Sequence, residues 1–220
     1  MSRLYRNRRS STTFAALLLL LLVILAGQNT FTGFISRLFQ ARPSCSAMRQ
    51  AVDRDKHQSL IARAAAQRGS PVRVEVSLGS YPVTAEGTLD VTLIFTNTTI
   101  GTVPFVYSGG IPINNPVPDG FGVVVGSQAL PTVSAANGFL PDSNVRLLVP
   151  LQSCVEIIRF NVSQLQQFGI QPGSVVRAYY RNSNLGPVQS AGDSVYSDHG
   201  LWIGVAESRS QVVPIQATTQ

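Results

Sequence analysis

The stretch TLDVTLIFTN, residues 88–97, alternates along its length. Leu89, Val91, Leu93 and Phe95 fall on one side of an extended chain, and Asp90, Thr92, Ile94 and Thr96 on the other. Successive side chains of a strand point to opposite faces, so this period of two predicts a strand with one face on a core. VRVEVSL, residues 72–78, repeats the pattern, with Val72, Val74, Val76 and Leu78 opposite Arg73, Glu75 and Ser77. Seven further stretches read as strands: VPFVYS (103–108), FGVVVGS (121–127), VRLLVP (145–150), CVEIIRFNV (154–162), SVVRAYYRN (174–182), LWIGVAE (201–207) and QVVPI (211–215). Turn-forming runs separate them, among them YSGG, NNPVPDG, LPDSN, IQPGS and NSNLGP. Short strands without intervening helices, spread over about 150 residues, predict a mostly β fold, an antiparallel sandwich over residues 70–216. Residues 217–220 are a polar tail.

The chain ahead of this domain is of another kind. Residues 1–13 carry Arg3, Arg6, Arg8 and Arg9, and an apolar run follows from Phe14 to Ala26. Those thirteen residues span about 20 Å as a helix, the length of a signal-peptide core and short of a bilayer of about 30 Å. Two features favour a retained anchor over a cleaved leader. VILAGQN places Ile24 or Leu25 where a signal peptidase wants a small residue, and TFTGFI resumes the apolar character. Phe14–Ile35 is then 22 residues, about 33 Å, with Gln28 and Asn29 near the outer interface. The leading arginines put a basic N-terminus in the cytoplasm and the remainder on the extracytoplasmic side. The expectation is a single-pass transmembrane anchor at 14–35, a signal peptide being the alternative.

Charge supports that division. Net charge is +6, yet residues 1–42 hold six arginines and no acid, leaving eleven basic and eleven acidic residues in 43–220. A folded part of zero net charge lacks the clustered cations of a phosphate-binding face, so no nucleic acid partner is expected.

Residues 36–69 predict a helical stalk of about six turns. Pro43 and Ser44 offer a start, Ala, Gln, Arg and Met favour helix, and Gly69 suits a C-cap. Its apolar stripe (Met48, Val52, Leu60, Ile61) is too broken for a coiled coil. Cys45 and Cys154 are the two cysteines, both on the exported side, and an even pair in an oxidising compartment predicts a disulfide between them. That bond would pin the juxtamembrane helix to the sandwich.

LDVTLIFTNTT, VPFVYSG, DGFGVVV, LLVPLQSCVEIIRF and IQPGSVVRAYYRN together resemble the strand order of bacterial Ig-like sandwiches. The nearest type is the domain named after a bacterial intracellular proteinase inhibitor. In that type an Asn closes an early apolar strand and a Pro-Gly turn precedes a late aromatic strand; Asn97 and Pro172-Gly173 stand in those places. The resemblance spans residues 70–183 and implies an Ig-like fold. INNPVP and the segment after Asn184 depart from it, and no inhibitory residue carries over.

Few residues invite chemistry. Asp53 and His57 stand one turn apart on the predicted helix, but two ligands do not make a metal site. His199 lies in YSDHGLW with no nucleophile elbow in the chain. No catalytic residue, metal or cofactor is expected. NTT (97–99) and NVS (161–163) match the glycosylation pattern at strand ends, where Asn is common, and weigh little in a bacterial envelope. Tyr107, Tyr179, Tyr180 and Trp202 suit core or sandwich-end positions better than a ligand cage. The most distinctive loop is GGIPINNPVPDGFG, where Ile111, Ile113, Asn114, Asn115 and Val117 offer a stiff contact surface, unless it packs its own isoleucines as a crossover. The expected role is a membrane-anchored extracytoplasmic module that acts through a protein partner, including as an accessory subunit of a larger membrane complex. The alternatives are a small-ligand sensor or carrier and an envelope hydrolase using His199.

Overall fold

The computed structural model describes residues 42–67, 69–107, 119–127, 129–130, 133–134, 138, 140–184, 188–189, 195–196 and 200–214. In chain order these form β1 (Arg49–Gln50), α1 (Gln58–Ala65), β2 (Val72–Leu78), β3 (Thr88–Asn97), β4 (Val103–Val106), β5 (Gly120–Val125), β6 (Leu140–Pro141) and β7 (Val145–Leu148). There follow β8 (Ser153–Asn161), α2 (Val162–Gln167), β9 (Val175–Asn182), β10 (Val188–Gln189), β11 (Val195–Tyr196), β12 (Gly204–Glu207) and β13 (Gln211–Val212). Short 3-10 turns occupy Cys45–Ala47, Ala51–His57 and Asp142–Asn144.

The alternating stretches become the sheet that organises the rest. β3 is central, with β2 on one side and β8 on the other, both antiparallel. In a second sheet β9 pairs with β5 along one edge, and with β12 and then β13 along the other. β7 pairs with β1 and β4. All these pairs are antiparallel; β6 and β10 form a short parallel pair. The protein is mostly β, as the period of two predicts.

Both main sheets contribute to one core. Leu89, Val91, Leu93 and Phe95 are wholly buried on the inner face of β3. Burying each side chain of this size contributes about 1.5–3 kcal/mol, an upper estimate because unfolded chains already hide some apolar area. Phe95 is the hub, its ring centroid 4.8 Å from Tyr180, 4.9 Å from Phe121 and 5.1 Å from Phe105. Tilted and edge-on pairs of this kind add about 0.5–1.5 kcal/mol each beyond area burial.

Two expectations need correction. Over the described residues 42–67 the helix of about six turns does not form: this part is a 3-10 turn, the strand β1, a second 3-10 turn and only then α1. The cause is tertiary. Arg49 and Gln50 pair with Leu147 and Arg146 of β7, and Cys45, Met48 and Ala51 are buried, which a straight helix could not achieve together. Weak helix propensity yields to these contacts. Nor does α1 stand as a stalk, since Ile61 and Ala64 are buried and Thr102 N–H donates to Leu60 O at 3.1 Å. Gly101 permits this approach, for a Cβ there would lie 2.4 Å from Leu60 O.

The second correction is a helix between strands. α2 starts at Asn161, whose Oδ1 accepts from Gln164 N–H (2.9 Å) while Gln164 Oε1 accepts from Asn161 N–H (3.0 Å). This is a capping box, and NVSQ spells it. The other expected strands form close to their predicted bounds, except that Leu201–Ile203 precede β12 rather than join it and QVVPI is strand at Gln211–Val212, while the two-residue strands β1, β6, β10 and β11 were not expected. No helix among the described residues is long and apolar enough to cross a membrane; the expected span, 14–35, lies outside them.

Candidate functional site

Cys45 and Cys154 are bonded, with Cα atoms 4.9 Å apart, and both are fully buried. The bond holds the entering chain against β8. Val155 N–H donates to Pro43 O at 2.9 Å, and Ser44 forms a parallel bridge with Val155. Glu156 secures the turn that follows: its Oε1 accepts from Ser44 Oγ (2.9 Å) and Ser46 N–H (3.2 Å). Arg146 adds a bond from Nε to Ser46 O (3.2 Å), and its guanidinium lies 5.7 Å from the Tyr107 ring centroid. Burial, and then the Glu156 charge, push the Tyr107 hydroxyl above its ordinary value.

Past Val155 the edge of β8 opens. Asn97 N–H bonds Gln152 O, so the even-numbered residues of β8 face β3 with their backbone groups. The odd-numbered ones face outward, as Val155 shows by bonding Pro43. Ile157 and Arg159 therefore present N–H and C=O groups with no backbone partner among the described residues. Ile157 is 52% exposed, an uncommon state for a large apolar residue in mid-strand. Its cross-strand neighbour is Thr92, and half-buried Ile94 and Val155 form the adjacent pair. Arg159 Nε sits 3.6 Å from Asp90 Oδ1, so the charges on this face are matched. An unpaired edge beside an exposed isoleucine is a surface that an extended strand can join through main-chain hydrogen bonds.

The other candidate residues fall as follows. Ile111, Ile113, Asn114, Asn115 and Val117 lie outside the described residues, and so does His199. Asp53 pairs with Lys56 at 3.5 Å, while His57 Nε2 is 3.4 Å from Arg49 Nη1, so the imagined Asp53–His57 site is not assembled. Among the described residues no group of three or more His, Cys, Asp or Glu could hold a metal. Tyr179 and Tyr180 are core residues, and the Tyr180 hydroxyl accepts from Val106 N–H at 2.9 Å. Asn97 is wholly buried, its Nδ2 donating to Gly101 O (2.7 Å), Leu148 O and Val149 O (both 3.0 Å), which removes it from any glycosylation role in the folded protein.

A groove of about 240 Å³ runs between α1 and residues 200–203, lined by Ala64, Gln67, Pro71, Val103, Leu201 and Trp202. A wider hollow of about 400 Å³ belongs to the β2–β3 connection, around Tyr81, Val83 and Asp90. Neither is rimmed by Tyr107, Tyr179 or Tyr180. The open β8 edge was not singled out by sequence reasoning. A signal exists in EIIRF: adjacent Ile157 and Ile158 cannot both face the core of a strand that alternates. Compared with family models, curated proteins and solved structures, the chain matches none.

Proposed function

We propose that this chain is a membrane-anchored, extracytoplasmic Ig-like module that acts by protein–protein contact, as an accessory subunit of a larger membrane or envelope complex. The observation that carries the proposal is the stretch of β8 where, among the described residues, the outward backbone groups of Ile157 and Arg159 have no backbone partner and lie beside an exposed apolar side chain. The Cys45–Cys154 bond supports an oxidising compartment, and the basic start with its apolar run supports tethering. Tethering confines the module near a partner in the same membrane and raises its effective concentration there.

The test places a photo-crosslinking residue at position 157 of the full chain in its native membrane, with position 75 on the same sheet as control. Adducts to protein at 157 and few at 75 are expected. Lipid adducts alone, or none, would overturn the proposal.

The groove beside Trp202 supports a second reading, a carrier for a small apolar ligand. Trp202 is the single tryptophan, so its fluorescence reports directly on occupancy. An unchanged spectrum across a panel of small aromatic and aliphatic compounds would exclude that role.

A further inference from the structure

Two turns meet at one end of the domain, and each exposes a large apolar side chain: Leu151 is 68% exposed and Ile100 59%. Leu151 stands third in the turn Val149–Gln152, which Gln152 N–H closes onto Val149 O at 3.1 Å, and its φ is +59°. That left-handed conformation suits glycine and strains leucine. The turn is nonetheless held firmly. Gln152 Oε1 accepts from Val149 N–H (3.1 Å), and Gln152 O accepts from Asn97 N–H (2.9 Å). Asn97 Nδ2 donates both to Val149 O (3.0 Å), in the Leu151 turn, and to Gly101 O (2.7 Å), next to Ile100. One buried amide therefore presents the two tips together. The incoming chain shows which end this is. Ser44 bridges Val155 in parallel, so the step back from Ser44 to Arg42 runs beside β8 toward Ser153 and the Leu151 turn. β3 ends here too, with Thr96 opposite Ser153.

We infer that Leu151 and Ile100 seat this end of the domain in the outer lipid interface of the membrane that holds the chain. This rests on the retained anchor proposed above. The length of chain between anchor and domain argues for it. Six residues, 36–41, separate the expected span at 14–35 from Arg42, and six fully extended residues cover at most about 22 Å. The nine residues of β8 alone are about 30 Å long, so the end that receives Arg42 stays close to the bilayer. Its chemistry suits that surface. The segments that meet there, 42–44, 69–72, 97–103 and 148–153, hold no acidic residue and a single basic one, Arg42. No carboxylate on them has to be desolvated as the tips enter, and Pro71 and Pro150 extend the apolar surface. Two side chains bind lipid weakly by themselves, but a tether this short holds them at high effective concentration beside it. Ile157 lies six residues beyond Leu151 along the chain, on the part of β8 that leads away from this end.

The test reconstitutes the full-length chain in vesicles of phosphatidylethanolamine and phosphatidylglycerol. A fluorophore is attached in turn to Leu151→Cys, Ile100→Cys and Val83→Cys; Cys45 and Cys154 are bonded and buried, so they stay unlabelled. Val83 is the control, 79% exposed but in the β2–β3 connection, at the opposite end of β3. Lipid-borne nitroxides should quench the labels at 151 and 100 severalfold more than the label at 83. Equal quenching at the three positions, in vesicles that carry the chain through flotation, overturns the inference and leaves the anchor standing. A chain that does not float with the vesicles removes both. In the native membrane a photo-crosslinking residue at 151 should yield lipid adducts; adducts to protein without lipid would assign the tips to a protein partner and overturn the inference. Leu151→Gly separates lipid contact from folding. Glycine suits this backbone, so the urea midpoint should hold or rise, while quenching of the label at Ile100→Cys weakens. A lowered midpoint would make Leu151 a packing residue, and unchanged quenching would deny it a part in the contact; either result overturns the inference.

Discussion

The side-chain amide of Asn97 donates to the carbonyl oxygen of Leu148 at 3.0 Å, tying the end of β3 to the end of β7 across 51 residues. The same Nδ2 reaches Gly101 O and Val149 O, and Oδ1 accepts from Thr99 N–H (2.8 Å) and Thr99 Oγ1 (2.9 Å). Gly101 in turn seats α1. One buried amide thus joins three elements that no ladder connects. Asn97→Asp replaces the donor with oxygens facing three carbonyls. It should cost about 3 kcal/mol or more, read as a lower urea midpoint. A loss under about 1 kcal/mol would be the size of an ordinary surface change and would deny Asn97 this role.

Replacing both Cys45 and Cys154 by alanine should destabilise the domain by about 3–5 kcal/mol, since the bond closes a loop of 109 residues in the unfolded chain. Because both residues are fully buried, mild reductant should leave the bond intact in the folded protein and remove it in urea. Thiol alkylation followed by mass measurement checks this. Labelling without denaturant would contradict the burial.

Tyr180 predicts an alkaline limit. Its ordinary value is 10.0, and burial in the core raises it well above that in the folded state. The folded chain then keeps a proton that the unfolded chain releases, so stability is complete below about pH 10 and declines above it. The slope from this group approaches about 1.4 kcal/mol per pH unit. Tyr179 is shifted in the same direction by burial. Urea unfolding at pH 8 and pH 11 should show the decline, and Tyr180→Phe should flatten it. That variant also leaves the Val106 N–H unmatched, costing about 1–3 kcal/mol at pH 8. A slope unchanged in Tyr180→Phe would assign the alkaline limit to another group.

Asn161→Ala removes the acceptor of the α2 capping box and should cost about 1 kcal/mol. Asn161→Ser retains an N-cap oxygen and should restore most of the loss. Equal losses in the two variants would mean that the box contributes little.

How far the sequence foretells this molecule depends on the range of the interaction. The alternation at 72–78 and 88–97 is local, and β2 and β3 occupy those residues with the expected faces inward. The Cys45–Cys154 bond follows from the chain having two cysteines and no other partner for either. The segment 45–57 was not legible as 3-10 turns and a strand, because its shape comes from β7, almost a hundred residues later. Ile157 was legible in part: the adjacent isoleucines announce an apolar residue on the outer face, but only the position of Pro43 shows where the edge is covered and where it opens. Asn161 carried its capping signal in NVSQ, which a glycosylation match obscured.

Cys45 lies three residues after Arg42, and its partner Cys154 lies three residues from Ile157 along β8. A pull on the chain at Arg42 therefore reaches β8 through one covalent bond. The backbone between the two cysteines, with its turns, α1 and seven strands from β1 to β7, is bypassed and bears no tension. Load entering at Arg42 and leaving along β8 would cross the domain by its strongest link, so the core need not unfold to transmit it.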